Sequence, residues 1–311
     1  MFEKISFCIS SILGFLFNLT LAYKFKDFTP KKTKEYLPKE HHRKISNFGG
    51  VAFVISLLVA LLISYSYLDK NLIPIFLLSL IPFAFTGFLD DYKKLFDPEG
   101  LREKHKLILQ IIFSLVLGVI ILLKKKYHIL DLVFFKIKLS SLSFLVYYLI
   151  ISIIFLNAFN FIDGIDGLAA SLAIILFLVL FAFTGKYEYL ILISVLLSFL
   201  FLNFPPAKIF MGDTGSLAIG ALLLASFVYF SLEKVLLISG FIIFFEFLSV
   251  VLQRYYFKLT RKIYGKGRRI FKMAPFHHHL EKCEVPQTKI LGSFVVLTAF
   301  FSLISYFIFH Y

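Results

Sequence analysis

The sequence predicts an all-α polytopic membrane protein with about ten transmembrane helices, and three observations indicate this fold class. First, 59% of the 311 residues are hydrophobic and the mean hydropathy is +0.86, whereas a soluble domain is about 45–50% apolar. Second, the 41 phenylalanines are more than the core of one soluble domain of this length could bury. Third, apolar runs of about 18–22 residues recur along the chain, the length that crosses about 30 Å of hydrocarbon.

The apolar runs predict ten spans. The first run leads into a basic loop and lacks a small-residue cleavage site, so we expect a span there and not a secretory signal peptide. No repeat, low-complexity tract or soluble segment separates the runs, which predicts a single transmembrane domain over residues 1–311. The spans are expected at approximately 5–23, 48–67, 72–90, 106–123, 141–160, 165–184, 187–204, 214–231, 235–257 and 290–310.

The distribution of lysine and arginine predicts the orientation of the spans. With the N-terminus outside, the inside loops carry 24 basic residues, and the outside loops with the N-terminus carry 9. This difference favours extracytoplasmic positions for both termini, although the basic run at 124–126 opposes it. The following segment, 127–139, alternates apolar and polar residues in its second half, which indicates a short external β-hairpin.

Charge and cysteine content narrow the classes of function. The net charge of +14 comes from short loops between spans, so we expect contact with the lipid bilayer and no nucleic-acid partner. Cys8 and Cys283 lie at opposite ends of the chain and indicate neither a metal site nor a disulfide framework. A GxxxxGK[ST] phosphate loop does not occur in the sequence, which disfavours nucleotide hydrolysis.

Five aspartates fall at the ends of predicted spans, all on the predicted inside face: Asp90, Asp91, Asp163, Asp166 and Asp213. A charge within hydrocarbon is costly and persists where it is paired or functional. Each aspartate alone could be a solvated helix end or an N-cap, and Asp163 and Asp166 would share a face if they were helical. Three separate segments that bring carboxylates to one level predict a site for a hard divalent cation, Mg²⁺, which bridges phosphate oxygens.

A basic inside loop supplies a second group of candidate residues, His277, His278 and His279. Consecutive helical residues do not share a face, so hydrogen bonds and charge to phosphate are favoured over a metal site made by all three histidines. Lys94 and Lys106 add cations suited to anionic phosphates. Carboxylates, Mg²⁺ and cations at a membrane face describe phosphoryl transfer on an amphiphilic substrate, in which an acid orients or deprotonates a lipid phosphate.

Four motifs resemble those of the polyprenyl-phosphate N-acetylhexosamine-1-phosphate transferase family, in order and over nearly the full length of the chain. They are GFLDDYKK (87–94), NAFNFIDGIDGLA (157–169), FMGDTGSLAIG (210–220) and MAPFHHHLE (273–281). Within that family, MAPFHHHLE, the preceding RRIF and FEFLSVVLQ (245–253) are most similar to the phospho-N-acetylmuramoyl-pentapeptide transferases, the MraY group. The resemblance implies that UDP-MurNAc-pentapeptide and undecaprenyl phosphate give lipid I and UMP, with Mg²⁺, at the cytoplasmic face of the bacterial inner membrane.

The resemblance also implies roles for individual residues. Of the acidic pair, Asp90 would activate the lipid phosphate, and Asp213 would be the Mg²⁺ ligand. The implied catalytic residues are Asp90, Asp91, Asp213, His277, His278 and His279. The implied substrate-binding residues are Lys94, Lys106, Asn160, Asp163 and Asp166.

Some features leave alternatives open. The first inside loop reads KISNFGG (44–50), where only Gly49 and Gly50 match the MraY group, and RYYFKLTRKIYGKG (254–267) is longer than the connection in that group. NFIDGIDG is equally similar to WecA-type transferases, which use UDP-GlcNAc or a related sugar.

A transporter is the alternative from another functional class, and it is disfavoured because the acids gather at one face and not near the midplane. Glu246, well inside a span, is either a paired structural residue or part of the site. The sequence also does not distinguish which carboxylate is the base, or a one-step reaction from one through a covalent enzyme phosphate. It does not distinguish a monomer from a homodimer either.

Overall fold

The computed structural model describes residues 2–29, 45–125, 128–132 and 135–310. Within these ranges the chain forms twelve α-helices and one β-hairpin. The helices are α1 (Phe2–Phe25), α2 (Gly49–Ile63), α3 (Leu72–Lys94), α4 (Glu103–Lys124), α5 (Ser141–Ile162), α6 (Leu168–Thr184), α7 (Glu188–Asn203), α8 (Gly212–Tyr229), α9 (Glu233–Ser239), α10 (Phe241–Tyr264), α11 (Phe276–Lys282) and α12 (Gln287–Phe309). The strands are β1 (His128–Asp131) and β2 (Lys136–Leu139).

Six of these helices are long and apolar enough to cross a membrane: α1, α3, α4, α5, α8 and α12. Helices α2, α6 and α7 are also apolar but have only 15, 17 and 16 residues. Each of the ten predicted segments contains a helix, so the helical, polytopic membrane fold is confirmed. The count of ten complete crossings and the single domain over 1–311 stay predictions.

The ninth predicted span, 235–257, differs from a single helix. The chain breaks at Gly240 into α9 and α10, and the two axes are bent by 73°. Helix α9 contacts α12 through Ser239 and Ser305, whose hydroxyl oxygens are 2.8 Å apart, and Phe241 at the start of α10 also contacts α12, at Phe301. Beyond this start, α10 packs on α5, where the rings of Phe155 and Phe244 lie 5.7 Å apart. Glycine, a poor helix former, allows the change of direction.

The β-hairpin predicted in segment 127–139 is confirmed for its described residues. Strands β1 and β2 pair antiparallel, with Asp131 opposite Lys136. Asp131 Oδ2 also accepts a hydrogen bond of 2.8 Å from Lys234 at the start of α9. This contact ties the hairpin to the helical bundle, and its external location stays a prediction.

Helix α8 lies at the centre of the bundle, with nearly all of its residues buried. Helix α3 packs closely against its first turn because Gly87 has no side chain: a Cβ atom there would overlap the backbone carbonyl of Asp213. The last turn of α3 and the first turn of α8 therefore meet at one end of the bundle.

Main-chain hydrogen bonds fix the segment 204–211 that precedes α8. The N–H of Gly49 donates to the carbonyl of Phe210 at 3.0 Å, and the N–H of Gly50 donates to that of Met211 at 2.9 Å. The first turn of α2 thereby holds the entry to α8. These are the two glycines of the first inside loop that match the family motif, and the earlier part of that loop, 30–44, lies outside the described residues.

Candidate active site

The structure brings three of the predicted aspartates together. Asp90 and Asp91 lie in the last turn of α3, and Asp213 lies in the first turn of α8. Each offers a carboxylate oxygen within 4.8 Å of the others, and all three are at most 8% exposed. Carboxylates converge in this way where a cation offsets their mutual repulsion.

Lys94 and Lys106 supply positive charge to this acidic cluster. Lys94 Nζ lies 2.5 Å from Asp90 Oδ2 and 3.1 Å from Asp213 Oδ1, and 3.8 Å from Asp91 Oδ1. Lys106 Nζ, on α4, lies 2.8 Å from Asp213 Oδ2 and 3.4 Å from Asp90 Oδ1. Three carboxylates and two ammonium groups leave one formal negative charge if all are ionised, which leaves the cluster able to accept a further cation.

Asp91 differs from its neighbours because its carboxylate caps α8. It accepts the backbone N–H of Asp213 at 3.1 Å and that of Thr214 at 2.8 Å, and the Thr214 hydroxyl at 2.6 Å. A carboxylate at a helix N-terminus satisfies free N–H groups and interacts favourably with the helix dipole. Asp91 therefore fixes the position of Asp213, whereas both Asp213 oxygens face the lysines.

A cavity of about 280 Å³ opens beside Asp213, between α4, α5 and α8. Asn160 lies on its wall and donates a 2.8 Å hydrogen bond to the Ser216 hydroxyl on α8. The cavity thus combines the predicted residues Lys106, Asn160 and Asp213 with apolar walls. Its lining comprises Glu103, Lys104, Lys106, Leu107, Gln110, Asn157, Asn160, Phe161, Asp213 and Leu217.

Gln110 and Asn157 were not among the predicted site residues, and both line this cavity. Asn157 Nδ2 donates to Gln110 Oε1 at 3.1 Å and to the carbonyl of Ile153 at 2.7 Å. The signal that could have found them is an amide inside an apolar span, since a buried polar side chain requires a partner. Gln110 is only 3% exposed.

Asp163 and Asp166 do not share a helical face. Asp163 ends α5, and a non-helical turn separates it from α6. Asp166 turns away and its Oδ2 accepts the N–H of Ala207 at 2.9 Å. Next to it, the N–H of Gly167 donates to Asn203 Oδ1 at 3.0 Å. Asp166 therefore anchors the segment that leads into α8.

Asp163, in contrast, lies within the electrostatic reach of the acidic cluster. Burial raises the pKa of its carboxyl group well above the usual range, and the charges of Asp213 and Asp91 raise it further, while Lys94 opposes them. Both causes disfavour the charged form, because a buried carboxylate loses its hydration and neighbouring negative charges repel it.

Glu246 positions the histidine segment. Its carboxylate accepts the backbone N–H of Phe276 at 2.7 Å and that of His277 at 3.0 Å, so it caps the start of α11. The His277 ring is fully buried, with Nδ1 3.3 Å from Glu246 Oε2. On its other side the ring lies against the backbone of Gly164, where a Cβ atom would sit 2.5 Å from Nε2. Of the two alternatives for Glu246, the structure supports the paired residue.

His278 and His279 point to different partners. His278 Nδ1 lies 2.6 Å from Glu281 Oε2, and its ring also approaches the turn after Asp163. His279 Nδ1 accepts the N–H of Lys272 at 3.1 Å. The three histidines contact different partners, and the absence of a common metal site formed by all three stays a prediction. The segment reaches the acidic end of the bundle through the turn at residues 163–167.

Comparisons with known proteins agree with this arrangement of motifs. The model of "Glycosyl transferase family 4" matches residues 73–231. A phospho-N-acetylmuramoyl-pentapeptide-transferase of Streptococcus equi subsp. zooepidemicus is 40% identical, over 78% of this chain and 77% of the relative. Proteins of the same name from Streptococcus pyogenes serotype M6 and Clostridium botulinum are 36% and 37% identical, and cover 88% and 96% of this chain and 87% and 93% of their own lengths.

Proposed function

The chain belongs to glycosyl transferase family 4, and from this premise we propose that it is a phospho-N-acetylmuramoyl-pentapeptide transferase. It transfers phospho-MurNAc-pentapeptide from UDP-MurNAc-pentapeptide to undecaprenyl phosphate, giving lipid I and UMP. The observation that carries the proposal is the position of Asp213, which lies between Lys94 and Lys106 beside a cavity of polar and apolar lining at one end of the bundle. Relatives of this name, one of which matches 96% of this chain, support the same reaction.

The protein is a multi-pass protein of the bacterial inner membrane, and we propose that the acidic cluster faces the cytoplasm, where nucleotide sugars are found. The excess of basic residues in the loops on that side supports this orientation, with both termini extracytoplasmic. A site at the end of the bundle also suits the two substrates, because one is water-soluble and the phosphate of the other lies at the membrane surface.

Mg²⁺ is the proposed cofactor, with Asp213 as its ligand and Asp90 beside it. The donor set fits a hard cation: buried carboxylate oxygens from two helices lie within 4.8 Å of one another. The bound ion would neutralise charge on the diphosphate of the donor and on the departing phosphate.

The residues of the chain account for the other steps. Lys94 and Lys106 bind phosphate oxygens of the two substrates, which brings two anions together that would otherwise repel each other. Asp90 takes up or orients the proton of the lipid phosphate. An oxygen of that phosphate forms a bond to the phosphorus that bears the sugar, and the bond from this phosphorus to the bridging oxygen breaks. UMP leaves with the bridging oxygen.

The remaining predicted residues serve the donor or the framework. Asn160 lines the cavity beside Asp213, and we propose that Asp163 and the histidine segment also contribute to binding of the nucleotide and diphosphate. Asp91 and Asp166 act through the position of α8 and of the segment before it. The NFIDGIDG motif supports the second candidate, a transferase of the WecA type that takes UDP-GlcNAc or a related sugar.

The test compares the two donors with the purified protein, undecaprenyl phosphate and Mg²⁺. We expect UMP release from UDP-MurNAc-pentapeptide, with at most a trace from UDP-GlcNAc. Turnover of UDP-GlcNAc alone would move the protein to the second candidate. If neither donor releases UMP while the acceptor lipid is present, the transferase proposal fails.

A further inference from the structure

The distal half of α10 and the segment after it form an arm, residues 254–272. The segment folds back along the helix and is attached at two levels. At the base of the arm, Gln253 Oε1 accepts the N–H groups of Ile270 at 3.1 Å and Phe271 at 3.0 Å. Further out, the Thr260 hydroxyl accepts the N–H of Arg268 at 2.8 Å. The arm therefore has two layers, the helix and the returning segment, which are joined by hydrogen bonds.

The returning segment covers one side of α10. Gly267 lies directly on the ring of Phe257, and the guanidinium group of Arg268 lies 4.6 Å from the centre of the Tyr264 ring. Thr260, on the same side, is only 3% exposed. No segment among the described residues covers the opposite side of this half of the helix in the same way.

That opposite side carries an exposed apolar stripe, which consists of Leu248, Leu252, Tyr255, Leu259 and Ile263. Their spacing of four, three, four and four residues places them on one face of a helix. They are between 39% and 67% exposed, with Tyr255 the most exposed of the five. The stripe begins in the apolar part of α10 and continues about 15 Å into the basic arm, at about 1.5 Å per residue.

The arm is strongly basic. It contains eight lysines and arginines and no acidic residue. Arg254, Lys258 and Arg261 repeat at intervals of four and three, on the face of α10 that lies between the stripe and the side covered by the returning segment. An apolar stripe with a cationic flank is the pattern of a helix that lies in the headgroup region of a membrane. A cluster of this many cations suits an anionic leaflet.

We propose that the arm is a docking surface for anionic phospholipids of the leaflet at the acidic end of the bundle. The stripe inserts among acyl chains, and the flanking cations bind the lipid phosphates. The arm lies at that end because α11, which its last residues lead into, is held by Glu246 of α10 and contacts the turn after Asp163. Docking thereby fixes the arm, and with it the histidine segment, at the membrane surface.

Two single-tryptophan variants test the insertion of the stripe, since the natural chain has no tryptophan. Tyr255 and Tyr264 are nine residues apart and so lie on opposite faces of α10, and they are 67% and 59% exposed. The protein is reconstituted in vesicles of phosphatidylglycerol and phosphatidylcholine. We expect Tyr255→Trp to be quenched by brominated acyl chains and shielded from aqueous acrylamide, and Tyr264→Trp to show the reverse. Equal quenching of both variants by each agent would overturn the proposal.

A charge variant tests the selectivity for anionic lipid. In the Tyr255→Trp background, Arg254, Lys258 and Arg261 are replaced by Gln, and the control replaces Lys208, Lys282 and Lys289, which are exposed outside the arm. We expect brominated phosphatidylglycerol to quench at least about twofold more than brominated phosphatidylcholine in the control, and equally in the arm variant. A preference that survives in the arm variant, or is absent from the control, would overturn the proposed headgroup contact. Both tests measure tryptophan fluorescence, so their results do not depend on whether the protein has transferase activity.

Discussion

The two ends of α3 offer a comparison, because each lies beside an aspartate, a lysine and a cavity. At the acidic end, a cavity of about 280 Å³ adjoins Asp213. At the opposite end, a cavity of about 270 Å³ between α2 and α3 is almost wholly apolar. Asp69 lies on its rim and pairs with Lys186, whose Nζ is 2.6 Å from Oδ2. The two cavities have nearly the same size, so volume does not distinguish them.

The difference lies in how the charges are arranged. Asp69 is partly exposed, and its carboxylate is satisfied by Lys186 and by the backbone N–H of Asn71. At the other end three buried carboxylates converge, the only such acidic group among the described residues. An ion pair that is complete in the protein stabilises the fold, whereas buried like charges that face one another are expected where a ligand or metal binds.

The largest expected effect comes from Asp213→Asn. We expect turnover to fall by at least about 1,000-fold and the dependence on Mg²⁺ to disappear, with the detergent-solubilised protein still folded. The matched change at the other end, Asp69→Asn, should leave turnover within about twofold of the parent. UMP release is measured for both across a Mg²⁺ titration. Equal losses in the two variants would remove the distinction between the two ends.

His278→Ala tests whether the histidine segment contributes to turnover at the acidic end. The ring of His278 approaches the turn after Asp163, so we expect a loss of turnover of about 100-fold with folding intact. His279→Ala is the control, since His279 accepts the N–H of Lys272 and lies against Phe271. The loss of turnover in His279→Ala should be smaller than that in His278→Ala. An unchanged rate for His278→Ala would restrict the histidine segment to a structural role.

Gly87→Ala tests the close packing that joins α3 to α8. The added methyl group must displace the backbone at Asp213, and overpacking of this kind costs about 1–3 kcal/mol of stability. We expect a lower thermal midpoint and reduced turnover. Gly292→Ala on α12 is the control, because a Cβ atom at that position has no neighbour within 4 Å. If the two variants melt at the same temperature, the packing argument is wrong.

The smallest effect concerns the ion pair at the opposite end. Partial burial raises the pKa of Asp69, but Lys186 and the N–H of Asn71 outweigh it, so the pKa is lowered. The hydrogen bond from Lys186 to Asp69 in turn raises the lysine pKa. The pair therefore stabilises the fold above the ordinary pKa of aspartate, near pH 4, and below that of lysine, near pH 10.

For such a partly exposed pair we expect less than about 1 kcal/mol. The difference in thermal midpoint between the parent and Lys186→Gln should shrink as the pH falls below about 4, and a difference independent of pH would contradict the assignment.

The ends of the apolar runs could be predicted from the sequence. These ends also predicted that Asp90, Asp91 and Asp213 lie at the same face of the membrane. Hydropathy sets where a span ends, and the membrane then brings those ends to a common plane. The partners of each side chain could not be read in this way. The capping of α8 by Asp91 and the anchoring of Ala207 by Asp166 depend on contacts between distant segments. The bend at Gly240 depends likewise on packing between distant segments, since beyond it α10 packs on α5.

The backbone pairing between the start of α2 and residues 210–211 has a consequence for mutational tolerance. The N–H groups of Gly49 and Gly50 donate to the main-chain carbonyls of residues 210 and 211, and these hydrogen bonds do not involve the side chains of the accepting residues. Substitutions at exposed positions of the preceding segment, such as Phe204 and Lys208, should therefore leave Asp213 in place. A library of variants across residues 204–211 would then retain activity at the exposed positions and lose it where a change disturbs the main chain.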